Sequence, residues 1–318
     1  MIFILVAGIL FSVSLYAQKT SGPLEVFAAG SFAKPKIVPK LNAFGVAQVT
    51  VHYKLTTQER AIGKEKSSGA VAGAKLAAYL ETTDGNLTDE DFQEITDHFY
   101  TYLQARIKSV GIETIAWDKI TATDFYKTGV EKNEPGKGSW AGNEWVSYIA
   151  NHGTNMYGGG LAFAMGKMKK ASKFCDEIGA PAGFFHVVVD FADVMVDVNI
   201  NTSTSGVFTV EKTRSFNYNS AVKPEMKVVP STIGSTLIWN DKMQSESINV
   251  VGDLPAAPAY HDNISQDPSR MKNNPFRFAK EMLPVVIETT REKYKTAAKK
   301  ALENYADEFV ATVVKLKD

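Results

Sequence analysis

Residues 48–56 (QVTVHYKLT) alternate apolar and polar side chains, with Val49, Val51, Tyr53 and Leu55 on one face and Thr50, His52 and Lys54 on the other. That period of two predicts a half-buried strand. From Thr88 the period lengthens. Thr88-Asp89-Glu90-Asp91 supplies a capping hydroxyl and first-turn acids, and Phe92, Ile95, Phe99, Leu103, Ile107 and Val110 follow three or four residues apart. This predicts an amphipathic helix of about six turns. Gly111 ends it, and 112–117 (IETIAW) alternates again as a strand. The Ala- and Gly-rich stretch 69–80 predicts a helix packed closely on a neighbour, and 140–150 a short helix. After three glycines, 161–178 predicts a further helix whose apolar stripe is Leu161, Met165, Met168 and Phe174.

The longest strand signal is 183–200 (GFFHVVVDFADVMVDVNI), too β-branched and too alternating for a helix. Its first half is apolar on both faces, whereas in its second half Asp193, Asp197 and Asn199 oppose Val194, Val196 and Val198. A strand that starts inside a sheet and ends at a solvated rim has this form. A turn at 201–206 and a partner strand at 207–218 complete a long hairpin. Shorter strands are predicted at 226–229, 236–239 and 248–251. After a Pro-, Asn- and Asp-rich loop, residues 276–314 predict a long helix carrying Met282, Tyr294, Tyr305 and Phe309 on one stripe, with Pro284 kinking its start. These apolar side chains need cover, either from the chain's own sheet or from a partner. Tyr294, Tyr305 and Phe309 are therefore the candidate interaction residues.

Together these elements predict an α/β chain, with α+β as the alternative, built as a mixed sheet covered by helices. Before them, residues 2–16 form an uncharged apolar run that gives way to Ala17, Gln18 and Lys19. A secretory signal cleaved after Ala17 is expected, because about 20 apolar residues are needed to span a membrane. The expected division is a signal at 1–17, an α/β domain at 18–265 and a C-terminal helix at 266–318, packed on that domain or used for assembly.

Composition narrows the chemistry. The 35 basic and 35 acidic residues cancel, so the body as a whole is not built to capture nucleic acid. Contact with a membrane stays open and is not predicted. Cys175 is the single cysteine, which rules out an intrachain disulfide and suits an exported bacterial protein in the periplasm or at the cell surface. No G-x-S-x-G, H-E-x-x-H, Cys-x-x-Cys or EF-hand pattern occurs, and Glu134-Pro135-Gly136-Lys137-Gly138-Ser139 lacks the first glycine and the metal-binding hydroxyl of a phosphate loop. The sequence thus names no catalytic residue, cofactor or metal. Two weaker patterns remain. His186 and Asp190 share a strand face, where an acid orients a general base or, more simply, a hydrogen-bonded pair forms. Asp193 and Asp197 align oxygens with Asn199 in a manner that suits calcium, and solvated edge charges give the same pattern.

The signal ending Leu15-Tyr16-Ala17-Gln18 resembles those of Bacteroidota exported proteins. The order of strand 49–55, helix 89–110, strand 112–117 and the hairpin around 187–206 is similar to the periplasmic α/β domain of curli-secretion-channel proteins and related envelope accessory factors. In that family a strand of the form taken here by Val194-Met195-Val196-Asp197-Val198 runs toward a Thr- or Ser-Gly turn, here Ser205-Gly206. The resemblance implies an envelope accessory protein. The family's lipoprotein cysteine has no counterpart, so it implies no channel, and no functional residue is carried over. The expectation is a non-catalytic exported envelope protein that binds a partner or self-associates through a sheet edge or its C-terminal helix. The alternatives are an exported hydrolase whose site forms only in the fold and a periplasmic small-ligand-binding protein.

Overall fold

The computed structural model describes residues 22–28, 34–64, 71–129, 136–140, 143–157, 165–205, 211–230, 236–271 and 279–317. The predicted signal segment lies outside these residues. The chain is an α/β protein with one large mixed sheet and helices on both faces.

A short strand β1 (Leu24–Ala28) precedes β2 (Ala43–Lys64), whose 22 residues extend well past the predicted 48–56. β3 (Val71–Thr82) returns antiparallel to β2 where a helix was expected. Helix propensity is a local quantity, and here the small side chains of Ala72, Ala74, Ala77 and Ala78 serve close packing inside a sheet. α1 (Asp89–Ser109) follows the prediction, including a capping box in which Thr88 and Asp91 satisfy each other's backbone N–H groups. The next predicted strand shrinks to β4 (Glu113–Thr114), followed by the short helices α2 (Trp117–Thr121) and α3 (Asp124–Thr128). Instead of a helix over 140–150, β5 (Lys137–Trp140) and β6 (Asn143–Ile149) form a hairpin on the side of β2. α4 (Met165–Ile178) leads into β7 (Ala182–Ser205), and β8 (Glu211–Val228) pairs back along it. The predicted turn at 201–206 is therefore still strand as far as Ser205, and the strand expected at 226–229 is the end of β8.

β9 (Thr236–Trp239) and β10 (Ser245–Val250) form the next hairpin, and β11 (Asn263–Gln266) lies in the predicted loop. The C-terminal helix begins later than its pattern suggested. Residues 279–289 supply two strands, β12 (Ala279–Glu281) and β13 (Val285–Thr289), both parallel to β3, and α5 (Arg291–Lys317) comes after them. Pro284 separates the two strands, and Val285-Val286-Ile287 is a β-branched run with a strand partner available. The expected domain division at 266 falls at the end of a strand of the same sheet, so β11 to β13 are integral to the body.

The sheet runs β1-β10-β9-β7-β2-β3-β13-β11. α1 and α5 cover one face together. Phe309 packs edge-on to Phe185 at 5.1 Å between ring centres, and the Tyr305 hydroxyl shares a 2.6 Å hydrogen bond with Thr236. Ion pairs bind the two helices along their rim, among them Arg291 to Asp91 at 2.7 Å and Arg106 to Asp307 at 2.6 Å. On the opposite face a second core joins Ile120, Phe174, Cys175, Ile178, Phe184 and Trp239. Among the described residues no helix is long and apolar enough to cross a membrane.

β2 and β7 run side by side in parallel from Gly45 and Ala182 to Tyr53 and Val189, then part. Beyond that point β2 continues with β3, and β7 with β8. These two hairpin extensions stack on each other as a two-layer arm, with Val198 buried against Ala72 and Ala74, and Val196, Ile200 and Tyr218 packed around them. Close approach requires a glycine: a Cβ at Gly63 would lie 2.7 Å from the Val198 carbonyl oxygen.

Candidate functional site

The parting of β2 and β7 gathers the ionisable residues of both strands. Asp190 is buried there and accepts hydrogen bonds from Lys54 Nζ at 2.5 Å, Thr57 Oγ1 at 3.1 Å and the Phe191 N–H at 2.9 Å. The pairing of β7 with β8 shifts register between Asp190 and Ala192, so this carboxylate clamps a bulge at the place where the sheet divides. His186 lies on the same strand face, as its spacing predicted, but its neighbour is His52, with the rings stacked at 6.1 Å between centres. The acid that was to orient His186 is held by Lys54 and Thr57 instead.

His52 sits directly across from Ser147 on β6, and Nδ1 and Oγ share a 2.6 Å hydrogen bond. Burial lowers the His52 pKa to about 4; burial, with His52 adding to it, lowers that of His186 to about 3. Both rings are therefore neutral near pH 7. Among the described residues, His52 Nε2 and both nitrogens of His186 have no hydrogen-bond partner, and the Tyr157 backbone that approaches His186 does not complete one. Beside the pair, Gln48 is fully used, donating to Thr50, Asn155 and the Tyr157 carbonyl while accepting from the N–H groups of Met156 and Tyr157.

Ser147 also lines an open cleft of about 530 Å³ with Asp89, Gln93, Lys137, His152 and Asn155. The turn at its edge is strained, since Asn151 and His152 adopt φ of 57° and 47°. Asp97 and Gln93 hold it, with Asp97 accepting the Asn151 N–H at 2.6 Å and Gln93 donating to the Ile149 carbonyl. A serine beside a neutral imidazole has the first two members of an acyl-transfer site. The third member, an acid that orients the base, is absent from the described residues around His52, and Ser147 is itself buried.

The other predicted positions fall elsewhere. Asp193 and Asp197 lie on the outer face of the arm, where Asp197 accepts a 2.7 Å hydrogen bond from Asn199. No group of three His, Cys, Asp or Glu side chains that could hold a metal ion occurs among the described residues. Tyr294, Tyr305 and Phe309 are 1–2% exposed within the chain's own core, so these three side chains are spent on folding, whereas Met282 lies between β12 and β13, off the helix, and is half-buried. Cys175 is buried, with its thiol pushed up to about 12 by burial.

A feature absent from the sequence reading lies along the arm. Among the described residues β8 pairs with no strand but β7, so its outer edge is open over 216–222; further on, the Ala257 N–H closes it at the Met226 carbonyl. Two cavities adjoin β8, one of about 700 Å³ reaching Ser220, Ala221 and Val222, and one of about 550 Å³ that reaches 216–219 and extends over the hairpin to Asn199 and Asn201 of β7; Lys280 lines both. Across the larger cavity stand Ile264 on β11, Met282 and Leu283. Ile264 pairs directly with Ile287, and opposed residues of antiparallel strands share a face. Ile287 is fully buried, yet Ile264 is 45% exposed. The core face of the sheet thus runs out of cover at β11, because the upper layer stops at β8.

No family model, curated protein or solved structure matches this chain.

Proposed function

We propose that this chain is an exported cell-envelope protein that binds a protein partner through the open sheet edge of its arm, without transforming a substrate. The observation that carries the reading is the edge of β8 over 216–222, unpaired among the described residues, beside core-face side chains left exposed at Ile264 and Leu283. Unpaired strand edges are sites of strand addition, and folded monomers usually blunt or cover them. Further support comes from how the ionisable residues are used: Asp190 is saturated by structural donors, and His52 and His186 are sealed in the sheet. Export rests on the apolar run at 2–16 and the small residue Ala17 after it.

The test is photo-crosslinking in intact cells, with a benzophenone side chain placed at Asn217 or Asn219 on β8 and, as control, at Lys108 on the exposed face of α1. Adducts of one discrete mass from the two β8 positions and none from Lys108 are expected. Equal labelling from all three, or none from β8, contradicts the proposal.

A further inference from the structure

We infer that the trough along β8 is an acceptor site for an extended peptide strand that carries apolar residues at alternate positions and an acidic group opposite Lys280. This deepens the binding reading above and rests on it. Three independent features specify the occupant. The floor is a strand edge over residues 216–222, about 20 Å at the usual rise per residue. Its unpaired backbone groups are complementary to another extended backbone and to nothing more compact. The walls call for apolar side chains on one face only, because Val222 and Met282 are half-buried, and Ile264 and Leu283 are more than 40% exposed on the side that the added strand would cover. The upper layer ends at β8 while the lower continues from β3 through β13 to β11, so a strand added to β8 extends the cover over that part of the sheet.

Charge supplies the third feature. Lys280 stands where the two cavities meet, its ammonium 5.0 Å from the centre of the Tyr218 ring. Glu281, the other charged side chain of the trough, already faces Lys75 at 3.8 Å. Among the described lining residues the trough therefore presents Lys280 as its cation without a carboxylate partner, held in place by an aromatic face and beside the amides of Asn217 and Asn219. A carboxylate on the incoming strand, from an Asp, a Glu or a chain terminus, satisfies it. That charge fixes the register of a strand whose apolar residues alone would let it slide by two.

The probe is an N-acetylated nine-residue peptide alternating valine and threonine, with aspartate moved through the threonine positions, titrated against the mature chain by fluorescence anisotropy. Saturable binding is expected, strongest for one aspartate position. Lys280→Glu should weaken that peptide about tenfold or more. A peptide with lysine in place of the aspartate should recover binding to this variant. Methylating alternate backbone nitrogens of the peptide should abolish binding. Lys280 is exposed, so an unchanged circular dichroism spectrum of the variant separates lost binding from lost folding. Absence of saturation at roughly 1 mM peptide, or indifference to N-methylation, overturns strand addition. If crosslinks from Asn217 and Asn219 persist in that case, the partner docks as a folded surface and only the present inference fails. A dimer that sedimentation detects and the peptide does not dissociate also overturns it, since a second copy then occupies the trough.

Discussion

The helix-covered body and the two-hairpin arm are built from the same pair of strands, β2 and β7, and they bury themselves by different means. In the body the strands lie side by side, and large side chains fill both faces: Phe44, Phe185 and Phe309 on one, Phe174, Phe184 and Trp239 on the other. In the arm the strands separate, each takes a new partner, and the resulting hairpins face each other across Gly63, Ala72, Ala74 and Val198. A core of large residues keeps its shape through many dispersion contacts, whereas one of small residues holds only through close approach. The body has little left to offer a partner. The arm leaves backbone edges and apolar side chains in water, which is the cost of presenting a binding surface.

The largest effect should come from the body. Replacing Tyr305 and Phe309 together with aspartate buries two unpaired charges beside Phe185 and Thr236 and should prevent folding altogether. Calorimetry should then show no cooperative transition, and a folded, monomeric variant would mean that the C-terminal stripe is not part of the core.

Acid should act on the body next. His52 and His186 have folded pKa values of about 4 and about 3, below the 6.5 of an exposed histidine, so between these limits the unfolded chain binds more protons. Their neutral burial is fully compatible with folding above pH 6.5, and stability is lost as the pH falls through 6.5 toward 4 and 3. At pH 5 each should have cost about 2 kcal/mol. Urea titrations from pH 7 to 5 should show the fall, and His186→Leu should reduce it by about half, leaving the His52 share; a pH-independent midpoint across that window would show that the rings are not sealed.

The smallest effect should be confined to the arm. Gly63→Val pushes a side chain against the Val198 backbone and should weaken the hairpin contact by about 1–3 kcal/mol. Proteolysis within 193–223 should accelerate while the melting temperature of the body hardly moves. A matching fall in both would show that arm and body unfold as one unit.

What the sequence made legible follows the same divide between local and distant causes. α1 could be read residue by residue, because the Thr88 and Asp91 cap and the spacing from Phe92 to Ile107 are local signals. β7 and its hairpin were legible from alternation, and so was the shared face of His186 and Asp190. β3 was not. Its alanines favour a helix in isolation and become a strand only because β2 and β13 flank it. The hairpin of β5 and β6 was hidden in the same way, its register set by β2. The true partners of the candidate residues lie far off in sequence: Lys54 is 136 residues from Asp190, and Ser147 is 95 from His52. No spacing rule reaches across neighbouring strands so far apart in sequence, whether parallel as β2 and β7 or antiparallel as β2 and β6. The trough was invisible for a further reason, since an edge is defined by the strand that is missing beside it.

Hydrogen exchange of the backbone amides, with and without the valine–threonine–aspartate peptide, reads the open edge of β8 amide by amide. In the free protein alternate amides of 215–223, those turned away from β7, should exchange rapidly while α5 and the first half of β7 stay protected. With saturating peptide those same amides should slow by about tenfold or more, and the protection of the body should not change. Protection of 215–223 in the free protein, or slowing that appears on α5 and not on β8, would contradict the account.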